Sequence, residues 1–197
     1  FVFSGQGTSQ PPFLDAPGGV AYTGTGGQVQ VASDEPLPLT FDGRQVWMGA
    51  RTGNGVFVTG VTQSQGAWID AGRVTDPAQI TGSNYSVEFS VAGGVTTYSV
   101  LQDGNPTALT GVTYESGKAI EIDGMSFNIT GSPANGDAFS ITPSAPSLSV
   151  FDALDQVVSA LKTPNQASAK VTQAVQTGLR DLDQSLGQVQ SSRSLAG

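Results

Sequence analysis

Between Tyr114 and Pro143 the chain reads YESGKAIEIDGMSFNITGSPANGDAFSITP, and no other stretch restricts its fold as much. Ala119, Ile120, Ile122, Met125, Phe127, Ile129, Phe139 and Ile141 stand in short runs where apolar and polar residues alternate. That is the period of half-buried strands, whose side chains point alternately to the two faces of a sheet. Asp123-Gly124 separates Ile120-Glu121-Ile122 from Met125-Ser126-Phe127. A two-residue hairpin turn needs positive φ at both central positions, which Asp and Gly tolerate. Gly131-Ser132-Pro133 and Asn135-Gly136-Asp137 turn the chain again. Pro143 and Pro146 then end the β pattern and Ser149 opens a helical one. The stretch closes a β module and hands the chain to helices.

Upstream, Phe1 and Phe3 alternate with Val2, a flexible Ser-Gly-Gln-Gly-Thr follows, and the segment ends at Pro11-Pro12-Phe13. Strands are predicted at 20–23, 28–32, 37–41 and 45–48. Gly26-Gly27 separates the first two, and Asp42-Gly43 is read as a further hairpin turn. Pro36 and Pro38 give the 37–41 run the character of an edge strand or extended linker, because Pro cannot donate to a ladder. The glycine-rich residues 50–56 read as a boundary. Strands are then predicted at 56–60, 67–74, 84–91, 95–101, 107–114, 118–122, 125–130 and 138–142, with a tight turn at Gly93-Gly94. Turn signals every ten residues or so fit a small antiparallel sandwich or barrel.

From 147 the period changes. Leu148, Phe151, Leu154, Val157, Val158 and Leu161 are spaced three and four apart, and Ser149 with Asp152 resembles a capping box. Thr163, Pro164 and Gln166 suit the cap and first turn of a second helix. That helix carries Val175, Leu179, Leu182, Leu186 and Val189 at steps of four and three, the narrow seam of two heptads. About thirty residues make a rod of roughly 45 Å, longer than the preceding helix can cover. Gly178 and Gly187 should each cost it roughly 1 kcal/mol relative to Ala. The seam therefore needs a partner helix, expected to precede Phe1 in a longer chain of which these residues are a fragment.

Composition narrows the function. Sixteen acidic against eight basic residues give a net charge of −8, which argues against nucleic acid and anionic membrane surfaces. No apolar run approaches the 18 or so residues of a spanning helix. With no cysteine and no histidine, this chain contains no disulfide, Cys nucleophile or Ser-His-Asp triad. Charged residues are only 12% and glycines number 26, as suits many short strands over thin cores.

The order of several motifs carries a resemblance. Phe1-Val2-Phe3-Ser4-Gly5, Pro12-Phe13 and Val20-Ala21-Tyr22-Thr23-Gly24 are followed by Asp70-Ala71-Gly72-Arg73-Val74-Thr75-Asp76-Pro77 and Tyr85-Ser86-Val87-Glu88-Phe89. Next come Ile122-Asp123-Gly124-Met125-Ser126-Phe127-Asn128-Ile129 and Gly131 to Phe139, then Val150-Phe151-Asp152-Ala153-Leu154 and the tail Arg193 to Gly197. Together these resemble bacterial flagellar hook-filament junction proteins (hook-associated protein 3) of the flagellin superfamily; hook-associated protein 1 shares the 122–139 run. The resemblance implies an α+β protein. A hairpin-and-helix rod built from both chain ends, residues 1–50 and 144–197, would carry an inserted β domain at 51–143. It further implies a structural subunit exported by the flagellar apparatus to lie outside the cell. Its partners would be other copies of itself, hook-associated protein 1 and flagellin, and the fragment alone would be monomeric.

Other readings are weaker. Glu121 with Glu88 or Asp137 offers a carboxylate pair of the kind glycosidases use, but sixteen carboxylates supply such pairs by chance. Asp70, Asp76, Asp123 and Asp137 lie in glycine-rich loops without calcium-loop spacing, and read as turn residues bonding local backbone. Trp47, Trp68, Tyr22, Tyr85, Tyr98 and Tyr114 read as core or cross-strand pairs rather than a carbohydrate platform. No enzyme, cofactor or metal is expected. The alternative function is a secreted acidic β module that binds carbohydrate or a host surface.

Overall fold

A computed structural model of the chain describes residues 3–5, 10–17, 19–25, 29–32, 35–37 and 42–196. The expected turn at Gly26-Gly27, the ends of the 28–32 and 37–41 runs, and Phe1 lie outside the described residues.

The chain opens with β1 (Phe13–Ala16) and β2 (Gly19–Tyr22), an antiparallel hairpin whose inner pair is Ala16 with Gly19. β3 (Val29–Ala32) and β4 (Glu35–Leu37) form a second antiparallel pair. The next element corrects the sequence reading. Residues 43–48 are not a strand after a hairpin turn but a short helix, α1 (Gly43–Met48). The Asp42 carboxylate accepts from the Arg44 N–H at 2.9 Å and caps it. Asp is as good a helix cap as a turn residue, and Gly43 is buried where a Cβ would meet the Phe3 carbonyl and the Phe13 and Tyr22 rings. Phe3 packs edge-on against Trp47, and Phe13 sits between Tyr22 and Phe151, so aromatic rings tie the hairpin to the helices.

After α1, β5 (Ala50–Arg51) leads to β6 (Phe57–Gln63), β7 (Ala67–Ile69) and β8 (Arg73–Val74). The expected single strand 67–74 is broken between these last two. The Asp70 carboxylate accepts from the N–H groups of Gly72 and Asn128, bending the chain. A 3₁₀ turn at Pro77–Gln79, capped by Asp76, precedes β9 (Tyr85–Ala92) and β10 (Val95–Gln102). Their turn uses Gly93 and Gly94 at φ +61° and +80°, as the sequence implies. Instead of one strand over 107–114 there are two fragments, β11 (Asn105–Pro106) and β12 (Val112–Thr113). Between them a loop holds half-buried Leu109, whose carbonyl accepts from the Val100 N–H. β13 (Ala119–Ile122) and β14 (Met125–Gly131) form the hairpin expected around Asp123-Gly124, at φ +44° and +74°. β15 (Ala138–Pro143) and β16 (Pro146–Leu148) complete the strands; both prolines belong to strands instead of ending the pattern.

β11, β10, β9, β15 and β6 align in one antiparallel sheet, with β12 beside β10. β13, β14 and β7 form another, with β8 beside β14. Phe57, Val87, Phe89, Val100, Phe139 and Ile141 from the first share one core with Ile69, Ile120, Met125, Phe127 and Ile129 from the second. Fully burying each such side chain contributes roughly 1.5–3 kcal/mol. Phe89 makes ring contacts with Tyr98, Tyr114 and Phe139. Tyr85 is buried as well, its hydroxyl donating to the Asp123 carboxylate. Burial first, and that bond second, raise its pKa above the ordinary phenol value.

Ser149 caps α2 (Val150–Lys162), accepting from the Asp152 N–H as the capping box requires. The next helix does not begin at Thr163. Thr163 instead closes α2, its N–H donating to the Ser159 carbonyl, and Asn165 turns the chain at φ +59°. Gln166 reaches back to the Ala160 carbonyl, and α3 starts later (Ser168–Ala196). The fold is α+β: mostly antiparallel sheets with, among the described residues, three α-helices.

Candidate assembly face on the helix pair

α3 is organised around what it turns inward. Among its described residues Gly178, Asp181 and Ser185 are buried, spaced three and four apart on one stripe. A Cβ built on Gly178 would overlap the Val157 side chain of α2. The glycine that looks like a weakness in the sequence is where α3 meets α2 with no room for a Cβ. Asp181 pairs with the Arg180 guanidinium at 3.0 Å, both side chains nearly covered. Ser185 donates to the Asp181 carbonyl at 2.9 Å, and Gln188 donates to the Gln45 carbonyl of α1 at 3.2 Å. The inner face of α3 is therefore small and polar.

The five seam residues lie elsewhere on the helix. Leu179 and Leu186 are 56% and 55% exposed; Val175, Leu182 and Val189 are half-buried. α2 divides its apolar residues in the same way. Ala153 is buried and Val157 half-buried, whereas Leu154, Val158 and Leu161 are exposed. The sequence pattern merges the two sets into one face, and only the partner's position separates them. The helices run antiparallel: Val157 meets Gly178, and Ala153 lines one cleft with Asp181. Each residue advances about 100° round its axis. Leu154, Val158 and Leu161 therefore lie on the same side of the contact as Leu179, Leu182 and Leu186. The result is one apolar face shared by two helices. Exposed apolar patches of this kind mark interaction sites.

The acidic candidates have local duties. Asp137 is buried and accepts from the Ser64 hydroxyl at 2.6 Å and the Ala134 N–H at 3.1 Å. Asp76 accepts from Ala78 N–H and Gln79 Nε2, and Asp123 accepts from Tyr85. Among the described residues no three acidic side chains converge as a metal site would need. Glu88 and Glu121 are exposed, on strands of different sheets. Of the aromatic set, Tyr85 and Tyr98 are buried in the core; Tyr22, Trp47, Trp68 and Tyr114 are half-buried.

Residues 58–143 match the D2-like domain of flagellar hook-associated protein 1. No curated protein sequence matches. Among solved structures, the flagellar junction protein FlgL of Legionella pneumophila is 27% identical over 98% of this chain and 65% of its own, with a TM-score of 0.83. Two crystal forms of Xanthomonas campestris FlgL give 28% identity with a TM-score of 0.85 and 30% with 0.81, again over 98% of this chain. The chain spans about 65% of the length of these structures. In sequence and in fold, over nearly its whole length, this chain resembles the flagellar junction proteins.

Proposed function

We propose that this chain is the core of a structural subunit joining hook to filament in the bacterial flagellum, acting by polymerisation, without catalysis or cofactor. The observation that carries the reading is the agreement of fold with FlgL junction proteins over 98% of the chain. Its partners are other copies of itself, hook-associated protein 1 and flagellin, and it works outside the cell after flagellar export. The 197 residues alone are monomeric.

Two units divide the work. Residues 1–50 and 144–197 form the rod, and 51–143 form the inserted β domain. Support comes from two separate buried clusters, one of Ala50, Leu148 and Ala153, the other inside the sheets. Val175, Leu179, Leu182, Leu186 and Val189 pack a further helix of the same subunit, from outside the 197 residues. The greater length of the matched structures and the exposure of Leu179 and Leu186 support this occupant.

The test is Leu182→Asp with Leu186→Asp in the full-length subunit. The β domain's melting should hardly change. Cells carrying the pair should secrete flagellin without building filaments. Normal filaments on those cells would overturn both the face's role and the junction assignment.

A further inference from the structure

We propose that the side chain of Gln173 is a latch that sets the angle between α3 and the β sheets, and that the joint swings when the latch opens. Among the described residues hydrogen bonds across the joint are few, although α3 also lies against β5 and β7. The chain passes into and out of the sheets through one narrow neck, β5 paired with β16. The neck is tied by Thr52 N–H to the Ala145 carbonyl at 2.9 Å and by the Ser144 hydroxyl to the Thr52 carbonyl at 2.7 Å. Among the described residues the buried apolar cluster of the sheets and that of the helices are separate. Among the described residues one hydrogen bond links 57–143 to α2 or α3. The Ile69 N–H donates to Gln173 Oε1 at 2.9 Å.

That bond stands between two open clefts of about 440 Å³ each. One runs from Gln63 to Lys170 beneath the start of α3; the other lies beside Thr59, Gln156 and Arg180. Both share Val61 and Gln173 as walls. Rotation about the neck would close one cleft and widen the other, without breaking either core. The Gln173 amide is aimed by its own helix: Nε2 donates to the Thr177 hydroxyl at 3.1 Å. Its target is the outer edge of β7, at a residue that is fully buried. A buried N–H left without an acceptor is costly, so the bond favours one angle. Hinges of this kind need only a few residues to absorb the motion. The latch is a property of the fold and holds whatever the chain assembles with.

The chain has no cysteine, so Ser90→Cys on β9 and Gln190→Cys on α3, both exposed, accept spin labels without competing sites. Two variants separate bonding from packing. Gln173→Met keeps the bulk and removes the acceptor; Gln173→Glu keeps an acceptor at neutral pH. Gln173→Met should broaden the distance distribution between the labels and speed exchange of the Ile69 amide about tenfold. Gln173→Glu should leave both as in the parent. A distribution equally narrow in Gln173→Met, or equally broad in both variants, would overturn the latch. Should Gln173→Met fail to fold, Gln173→Ala carries the same two readouts.

Discussion

β14 and α3 are opposite solutions to the same problem. β14 turns Phe127 and Ile129 into a core where both are almost wholly excluded from solvent, and it is flanked by strands on both sides. α3 turns a glycine, an aspartate and a serine inward and leaves two of its leucines more than half exposed. The sheets satisfy themselves: two faces meet, and the apolar residues of each cover the other's. The helix pair is complete in its polar bonding yet incomplete in its burial. The sheets hide their apolar groups, whereas the helix pair displays some of its own. The helix pair and the sheets can therefore be probed separately.

The largest effect should come from inside the sheets. Phe127→Ala removes a ring at the centre of the shared core and should cost about 3–5 kcal/mol in a denaturant titration. If the loss were under about 1 kcal/mol, the contrast between the two regions would collapse. Next comes Gly124→Val in the β13–β14 hairpin. Gly124 sits at φ +74°, and a Cβ there would overlap the Asp76 carbonyl. Left-handed strain and overlap together should cost about 2 kcal/mol or more, read as a lower melting temperature. An unchanged melt would mean that the turn relaxes freely.

The smallest effects form a matched pair on α3. Gly187 has open space around its Cα, so Gly187→Ala should stabilise the helix by about 1 kcal/mol. Gly178 touches Val157, so Gly178→Ala should destabilise by about 1 kcal/mol despite the better propensity. Helical signal followed through a melt decides the signs. The same sign for both would mean that the α2–α3 contact is looser than the geometry shows.

The sequence makes the hairpins legible because their determinants are local. Asp123-Gly124 and Gly93-Gly94 need only their own φ angles to be read as turns. The capped start of α2 is local too, since Ser149 and Asp152 are one turn apart. Misreadings fall where one residue type serves two purposes. Asp42-Gly43 suits a hairpin and a helix cap equally, and Val46 with Trp47 tips the reading towards a strand. The break at Asp70 is invisible because its carboxylate bonds Asn128, 58 residues away. The candidate face is half legible. Heptad spacing picks out Leu179, Leu182 and Leu186. It does not reveal that the packed stripe runs through Gly178, Asp181 and Ser185, which depends on where α2 lies. For the same reason, nothing in the sequence separates Leu154 from Val157.

The neck between β5 and β16 has one more consequence. Arg51 stands opposite Pro146, so the chain leaves and re-enters the helical part at a single doorway. An excursion of more than ninety residues, Thr52 to Ala145, begins and ends within the width of one strand pair. It is in effect a cassette. Replacing it with a short turn, or with a foreign module whose ends lie equally close, should leave the α2–α3 contact in place, which the helical circular dichroism of the shortened chain would check.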